Sequence, residues 1–148
     1  MKSIILSIAA GLLLSAGSLK AQDIPSSQVP SVIVNKFATA YPKATDIEWE
    51  RKGELYNVEF EMGRNIDHEI WYDKSGNLVR HKEELSKNNL PSKVTAKLQQ
   101  DFKGYRIDDV EKITEGTKVT YKMELKSFTK DWDMVMDADG NILKQKAD

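Results

Sequence analysis

The chain repeats itself. Val29-Pro30-Ser31 recurs as Leu90-Pro91-Ser92, 61 positions on. Asp46-Ile47-Glu48 recurs as Asp109-Val110-Glu111, and Gly53 as Gly116, 63 positions on. Asp73-Lys74-Ser75-Gly76-Asn77-Leu78 recurs as Asp137-Ala138-Asp139-Gly140-Asn141-Ile142, 64 positions on. Three landmarks in one order, drifting by so little, describe a duplicated unit of about sixty residues. The copies are expected over about 25–85 and 88–148, within a single domain spanning 22–148. A chain of this kind must build one small motif twice.

Each copy opens with a helix. Val29, Val32, Ile33, Phe37 and Tyr41 recur at helical spacing, as do Leu90, Val94, Leu98 and Phe102, and both stripes read as core. Pro30 and Pro91 stand at the helix starts, where a missing N–H is harmless. Pro42 and Gly104 mark the ends. Strands follow. Tyr56, Val58, Phe60 and Met62 alternate with Asn57, Glu59 and Glu61, and Val119, Tyr121, Met123 and Leu125 alternate with Thr120, Lys122, Glu124 and Lys126. Shorter strands are expected around Ile47–Arg51 and Val110–Thr114, and two more flank each glycine turn, at about 67–73 with 77–83 and 131–137 with 141–146. The expected fold class is therefore α+β: two tandem helix-plus-four-strand repeats forming one antiparallel sheet, with the helices on one face. Alternation with one polar face leaves the other side of the sheet solvated. That side should carry Asn57, Glu59, Glu61, Glu69 and Trp71, with Thr120, Lys122, Glu124 and Asp133. The face of the fourth strand in each copy stays open: either Leu78 or Val79 could point inward.

The first residues look like an export signal. Met1-Lys2 is followed by an apolar run from Ile4 to Leu14, then by small and polar residues, with a cleavage pattern at Leu19-Lys20-Ala21 before Gln22 or two to four residues earlier. The run is too short to span a bilayer, which needs roughly twenty apolar residues. The expected product, residues 22–148, is a periplasmic or secreted protein. The chain has no cysteine, so neither a lipidated cysteine nor a disulfide is expected, and stability must come from an ordinary core. Acidic and basic residues balance to a net charge of −1 and are interspersed, which argues against a nucleic-acid partner.

Catalytic equipment is sparse. His68 and His81, the two histidines, lie on the hairpin around Gly76 with no nucleophile motif beside them, and they read as hairpin-face residues. Asp137-Ala138-Asp139-Gly140-Asn141 resembles the start of a calcium loop, but the bidentate glutamate is missing at its required place, so a tight glycine turn is expected instead. Glu59 and Glu61 stand on an open face, where little should move their pKa values. No catalytic residue, metal or cofactor is expected. Trp71 falls on the polar face if Ile70 and Tyr72 point inward, and an aromatic on an open sheet is a typical partner anchor. Trp49 and Trp132 read as core or rim. The residues expected to meet a partner are Asn57, Glu59, Glu61, Trp71, Lys122 and Glu124.

The string Val-Pro-Ser-x-x-Val…Phe-x-x-x-Tyr-Pro-x-Ala, from Val29 to Ala44, resembles the opening helix of the PepSY-like family. So do the alternating strand ending in Met62 and the turn Tyr72-Asp73-x-x-Gly76-Asn77-Leu78. That family is described as similar to the beta-lactamase-inhibitor protein, whose two tandem helix-plus-sheet repeats form one curved sheet. The resemblance implies a fold, and it extends over about residues 25–146. It further implies binding of an enzyme by the concave sheet face, PepSY domains being associated with peptidase propeptides and inhibition. This chain lacks the inhibitor's disulfides and carries more charge than aromatic surface. The expectation is an exported, non-enzymatic binding protein acting on a hydrolase or peptidase through its open sheet face. A periplasmic small-ligand or peptide-binding sensory module is the alternative, and a small hydrolase dependent on His68 or His81 is a third. Partner and oligomeric state are not specified by these residues.

Overall fold

The computed structural model describes residues 22–147; the N-terminal run expected to be an export signal lies outside the described residues. The order of elements is β1 (Gln22–Asp23), α1 (Ser31–Ala40), β2 (Thr45–Lys52), β3 (Leu55–Met62), β4 (Ile66–Tyr72) and β5 (Leu78–Glu84). The second copy follows as α2 (Ser92–Asp101), β6 (Arg106–Glu115), β7 (Lys118–Lys126), β8 (Trp132–Asp137) and β9 (Ile142–Ala147). The nine strands form one sheet in simple sequence order, antiparallel throughout. The ninth strand, beyond the eight that the repeats supply, is β1, a two-residue edge piece pairing Gln22 with Arg51. Neither helix is long or apolar enough to cross a membrane.

The three repeated landmarks are places where the backbone needs particular residues. Pro30 and Pro91 precede the helices in extended conformation, and one-turn 3₁₀ segments, Ser26–Gln28 and Lys87–Asn89, lead into them. Asp46 and Asp109 take left-handed φ values of 49° and 45° at matching irregularities in the pairing of β2 with β3 and of β6 with β7. Asp is among the few side chains that tolerate this region. In the glycine turns, Asp73 accepts hydrogen bonds from Ser75 N, Asn77 N and Asn77 Nδ2, and Asp137 accepts the same three from Asp139 N, Asn141 N and Asn141 Nδ2. These bonds hold both carboxyls below their usual range. The calcium-like string thus spends its first carboxylate closing a turn.

Both helices lie on the same sheet face, each over its own core. Ile33 and Phe37 of α1 pack with Trp49, Val58, Phe60, Ile70 and Tyr72; Val94 and Leu98 of α2 pack with Val110, Tyr121, Met123, Leu125, Met134 and Met136. Burying each large aliphatic side chain stabilises the fold by about 1.5–3 kcal/mol. One member of the expected first stripe is not core. Val32 is 42% exposed, because it points toward the glycine turn, where its Cγ2 would stand 3.4 Å from a Cβ on Gly76. The open question about β5 resolves in neither direction: Leu78 and Val79 are both exposed, at 46% and 40%, because a register shift lies between Trp71 and Tyr72. The inward positions of β5 carry His81 and Glu83, opposite Ile70 and His68 of β4. The two apolar cores therefore meet across a polar strand.

Candidate functional site

Alternation carries through the ladders, so the uncovered face can be followed strand by strand. One row runs Glu50, Asn57, Trp71, Arg80 across β2 to β5, and the next runs Glu48, Glu59, Glu69, Lys82, Ile113, Thr120 across β2 to β7. In the first row the Arg80 guanidinium lies 4.8 Å from the Trp71 ring centroid, and Arg80 Nε stands 3.6 Å from Glu115. In the second, Lys82 Nζ reaches Glu69 at 2.6 Å and Glu111 at 3.5 Å. Burial alone would pull the Lys82 ammonium down, but the hydrogen bonds and charges of Glu69 and Glu111 outweigh it and hold it above the usual lysine range.

Beside these rows the face opens into a groove of about 500 Å³. Nine carboxylates line it, from Asp46, Glu48, Glu59, Glu61, Asp67, Glu69, Glu84, Asp109 and Glu111, against the single ammonium of Lys82. Glu69 and Glu111 are ion-paired with Lys82, and Glu111 also with Lys122 at 3.3 Å. The other seven have no ion-pair partner among the described residues. Partial burial, then the charges of Glu69 and Glu50, push the Glu59 carboxyl up. The expectation that this carboxyl would keep its ordinary value is corrected: partial burial, and then like charges on adjacent strands, act on it. Charge is uneven over the face. The outward positions of β7 and β9 carry Lys118, Lys122, Lys126, Lys144 and Lys146 instead.

Of the residues expected to meet a partner, Glu59 and Lys122 are exposed, and Glu61, Trp71 and Glu124 are half-buried. The expectation that Asn57 would be solvated is corrected. It stands on the uncovered face, yet only 2% of it is exposed, because Glu50 and Trp71 flank it in the neighbouring strands. Its Nδ2 donates to Glu69 Oε1 at 3.1 Å and to the Ile70 carbonyl at 3.4 Å, while its Oδ1 has no partner. Thr120, read as solvated, is likewise buried, at 9% exposed, opposite Ile113. Glu59, Glu61 and Trp71 belong to one region of the face, with Lys122 at its border through Glu111, whereas Glu124 lies beyond it, paired with Lys126 at 2.8 Å. Trp49 is core, and Trp132 is a partly covered rim residue with Lys130 Nζ 4.1 Å from its ring centroid.

On the helix side, the histidines come together. His68 Nδ1 lies 3.0 Å from His81 Nε2, and Glu83 Oε2 stands 3.9 Å from each. The rings are stacked, with centroids 5.3 Å apart, and the His68 ring stacks in turn on Phe60 at 5.1 Å. Burial lowers both histidine pKa values, against the opposing charge of Glu83. Both rings are neutral at neutral pH. Reading the histidines one at a time misses this cluster, although the hairpin contained the signal. A turn centred on Asp73–Gly76 brings residue 68 opposite residue 83 and next to residue 81.

A second concavity, of about 940 Å³, lies between α1 and β2, with Val34, Phe37, Tyr41, Ile47 and Trp49 in its lining.

Several solved structures share this fold. A BLIP-like protein from Bacteroides fragilis is 24% identical, with a TM-score of 0.67, covering 84% of this chain and 87% of that one. A protein described as a "putative periplasmic" protein from Bacteroides eggerthii is 15% identical, with a TM-score of 0.69, covering 80% and 88%. A DUF2874 family protein from Bacteroides ovatus is 18% identical, with a TM-score of 0.67, covering 80% and 86%. No protein of curated function matches the sequence. The family described as "Putative beta-lactamase-inhibitor-like, PepSY-like" matches residues 17–80 and again residues 54–144. With two matches that together span both repeats, this chain belongs to the PepSY-like family.

Proposed function

We propose that this is an exported, non-enzymatic binding protein that holds a partner protein on its uncovered sheet face. The observation that carries this reading is the groove of nine carboxylates, seven of them without an ion-pair partner. Like charges packed on adjacent strands cost stability, and a basic surface docking there relieves that cost, with the half-buried Trp71 ring beside it as an anchor. The partner is a hydrolase or peptidase with a lysine- or arginine-rich rim, whose action the bound sheet face restrains. A contact of ordinary size, about 800 Å² on each partner, would reach from Trp71 across the groove. Export is supported by the N-terminal apolar run and by the description of a structural neighbour as periplasmic. The test is to immobilise the protein, pass the organism's exported proteins over it, and assay the retained protein for hydrolase activity with and without added binding protein. Retention that persists with Trp71→Ala, or a hydrolase whose turnover is unaffected, contradicts the proposal.

The apolar cleft between α1 and β2 favours a second reading, in which the protein holds a peptide or lipid in its envelope compartment. Trp49 lies in that cleft. Titration with apolar peptides or fatty acids should then shift its fluorescence, and an unchanged spectrum removes this reading.

A further inference from the structure

The polar junction between the two cores has the composition of a metal site. His68 and His81 offer two neutral imidazole nitrogens, and Glu83 offers one carboxylate oxygen; among the described residues this is the group of histidines and carboxylates close enough to share an ion. Two histidines and a glutamate form a familiar ligand set for zinc with an open fourth position.

The geometry is specific. His68 Nδ1, His81 Nε2 and Glu83 Oε2 form a triangle with sides of 3.0, 3.9 and 3.9 Å. The point equidistant from the corners of such a triangle lies about 2.1 Å from each, inside the zinc–nitrogen and zinc–oxygen range of about 2.0–2.2 Å. Neither imidazole is hydrogen-bonded to Glu83, since 3.9 Å is too long. The shared imidazole proton would leave the short N···N contact by a change of tautomer, with the remote nitrogen of that ring taking the proton. Both ligand nitrogens then present lone pairs, and each ring keeps one proton.

We propose that His68, His81 and Glu83 bind a divalent transition-metal ion, zinc in the first instance, with water as fourth ligand. The surroundings supply an outer shell. Lys112 Nζ holds the other Glu83 oxygen, Oε1, at 3.1 Å, which leaves Oε2 directed at the histidines. Phe60 stacks on His68, and Tyr41 meets His81 edge-on at 6.2 Å, so both rings are fixed in orientation. The charged and titratable groups around the site are Lys112, Asp67 and the Tyr41 phenol; of these Lys112 opposes a cation and Asp67 favours one. His68 also borders the acidic groove that opens on the opposite face of the sheet, whose negative charge favours a cation nearby. Because His68 comes from β4 and His81 and Glu83 from β5, an ion here would tie the first repeat's last hairpin together where it meets the second repeat.

The test is titration of the metal-free protein with zinc chloride by calorimetry, alongside cobalt(II) absorption. One ion per chain is expected, with the intense visible bands of four-coordinate cobalt. Loss of an outer-shell partner alone costs a metal site about 10–100-fold in affinity. His81→Ala and Glu83→Gln, which remove ligands, should weaken binding at least as much. Imidazole nitrogen NMR shifts in the unsubstituted protein supply a readout that needs no variant: His68 Nδ1 and His81 Nε2 should both move on adding zinc. Zinc binding that leaves those two nitrogens unshifted, equal affinity in correctly folded His81→Ala, or no binding by the unsubstituted protein would each overturn the assignment.

Discussion

Arg80 lies over the Trp71 ring on the sheet face that no helix covers, its guanidinium carbon 4.8 Å from the indole centroid. The pair keeps the large apolar ring half-covered in the free protein and leaves it available to a partner. Cation–π contacts at such sites contribute about 0.5–1 kcal/mol. Trp71→Ala should therefore lower unfolding stability by only about 1 kcal/mol in urea melts. Its effect on partner affinity should be larger, about 2 kcal/mol or more, as for other central aromatic anchors. A stability loss that exceeds the affinity loss would place Trp71 in the fold and remove it from the interface.

Asn57 poses a different problem, with a buried oxygen lacking a hydrogen-bond partner. An apolar side chain of similar size removes this orphan oxygen but also the Nδ2 bonds to Glu69 and to the Ile70 carbonyl, and the gain and the loss are of similar size. Asn57→Leu should leave the melting temperature close to unchanged. Asn57→Asp should lower it, because the new charge would be buried between Glu50 and Glu69. An uncompensated buried charge costs about 3–5 kcal/mol. Chemical denaturation of the two variants gives the comparison, and similar stabilities would contradict this account of the position.

The glycine turns are alike in hydrogen bonding and unlike in what they touch. Gly76 and Gly140 have φ of +78° and +86°. A Cβ on Gly140 would come within 2.8 Å of the Lys93 carbonyl oxygen in α2, whereas one on Gly76 would meet only the flexible Lys36 side chain and Val32 at 3.4 Å. Gly76→Ala should cost about 1–2 kcal/mol, the strain of a left-handed alanine. Gly140→Ala should cost more, since backbone must move as well. Thermal melts of both variants test the order.

Acid should loosen the junction between the repeats. Burial lowers the pKa values of His68 and His81 below the ordinary 6.5. The unfolded chain therefore takes up protons at these positions before the folded one does, and stability rises with pH in that interval. Their contribution is fully present above about pH 6.5 and is lost as pH falls through the folded values. Glu50 and Glu59, whose carboxyls are pushed up, act with the opposite sign nearer the carboxylate range. The difference in pH slope between the unsubstituted protein and His81→Gln isolates the imidazole. An unchanged slope would show that the ring is not protonated on unfolding.

The fold was legible in the sequence because its landmarks are backbone requirements. A proline before each helix, an aspartate at each sheet irregularity and an Asp-x-x-Gly-Asn turn are read locally, and period-two alternation then assigns the faces. What escaped is set by neighbours across strands. Asn57 follows the alternation and is still buried, because Trp71 and Glu50 stand beside it. Leu78 and Val79 escaped because a register shift exposes both. The carboxylate groove and the His68–His81–Glu83 triangle each join residues from different strands, and only pairing register brings them together.

If the carboxylate face holds the partner, reversing the charge of that face abolishes binding. The unsubstituted protein and a Glu59→Lys/Glu61→Lys variant, both folded by circular dichroism, would be immobilised side by side and exposed to the same exported proteins. One protein should be retained in stoichiometric amount by the first, released as salt is raised, and absent from the second. Equal retention by both, or retention by neither, would contradict it.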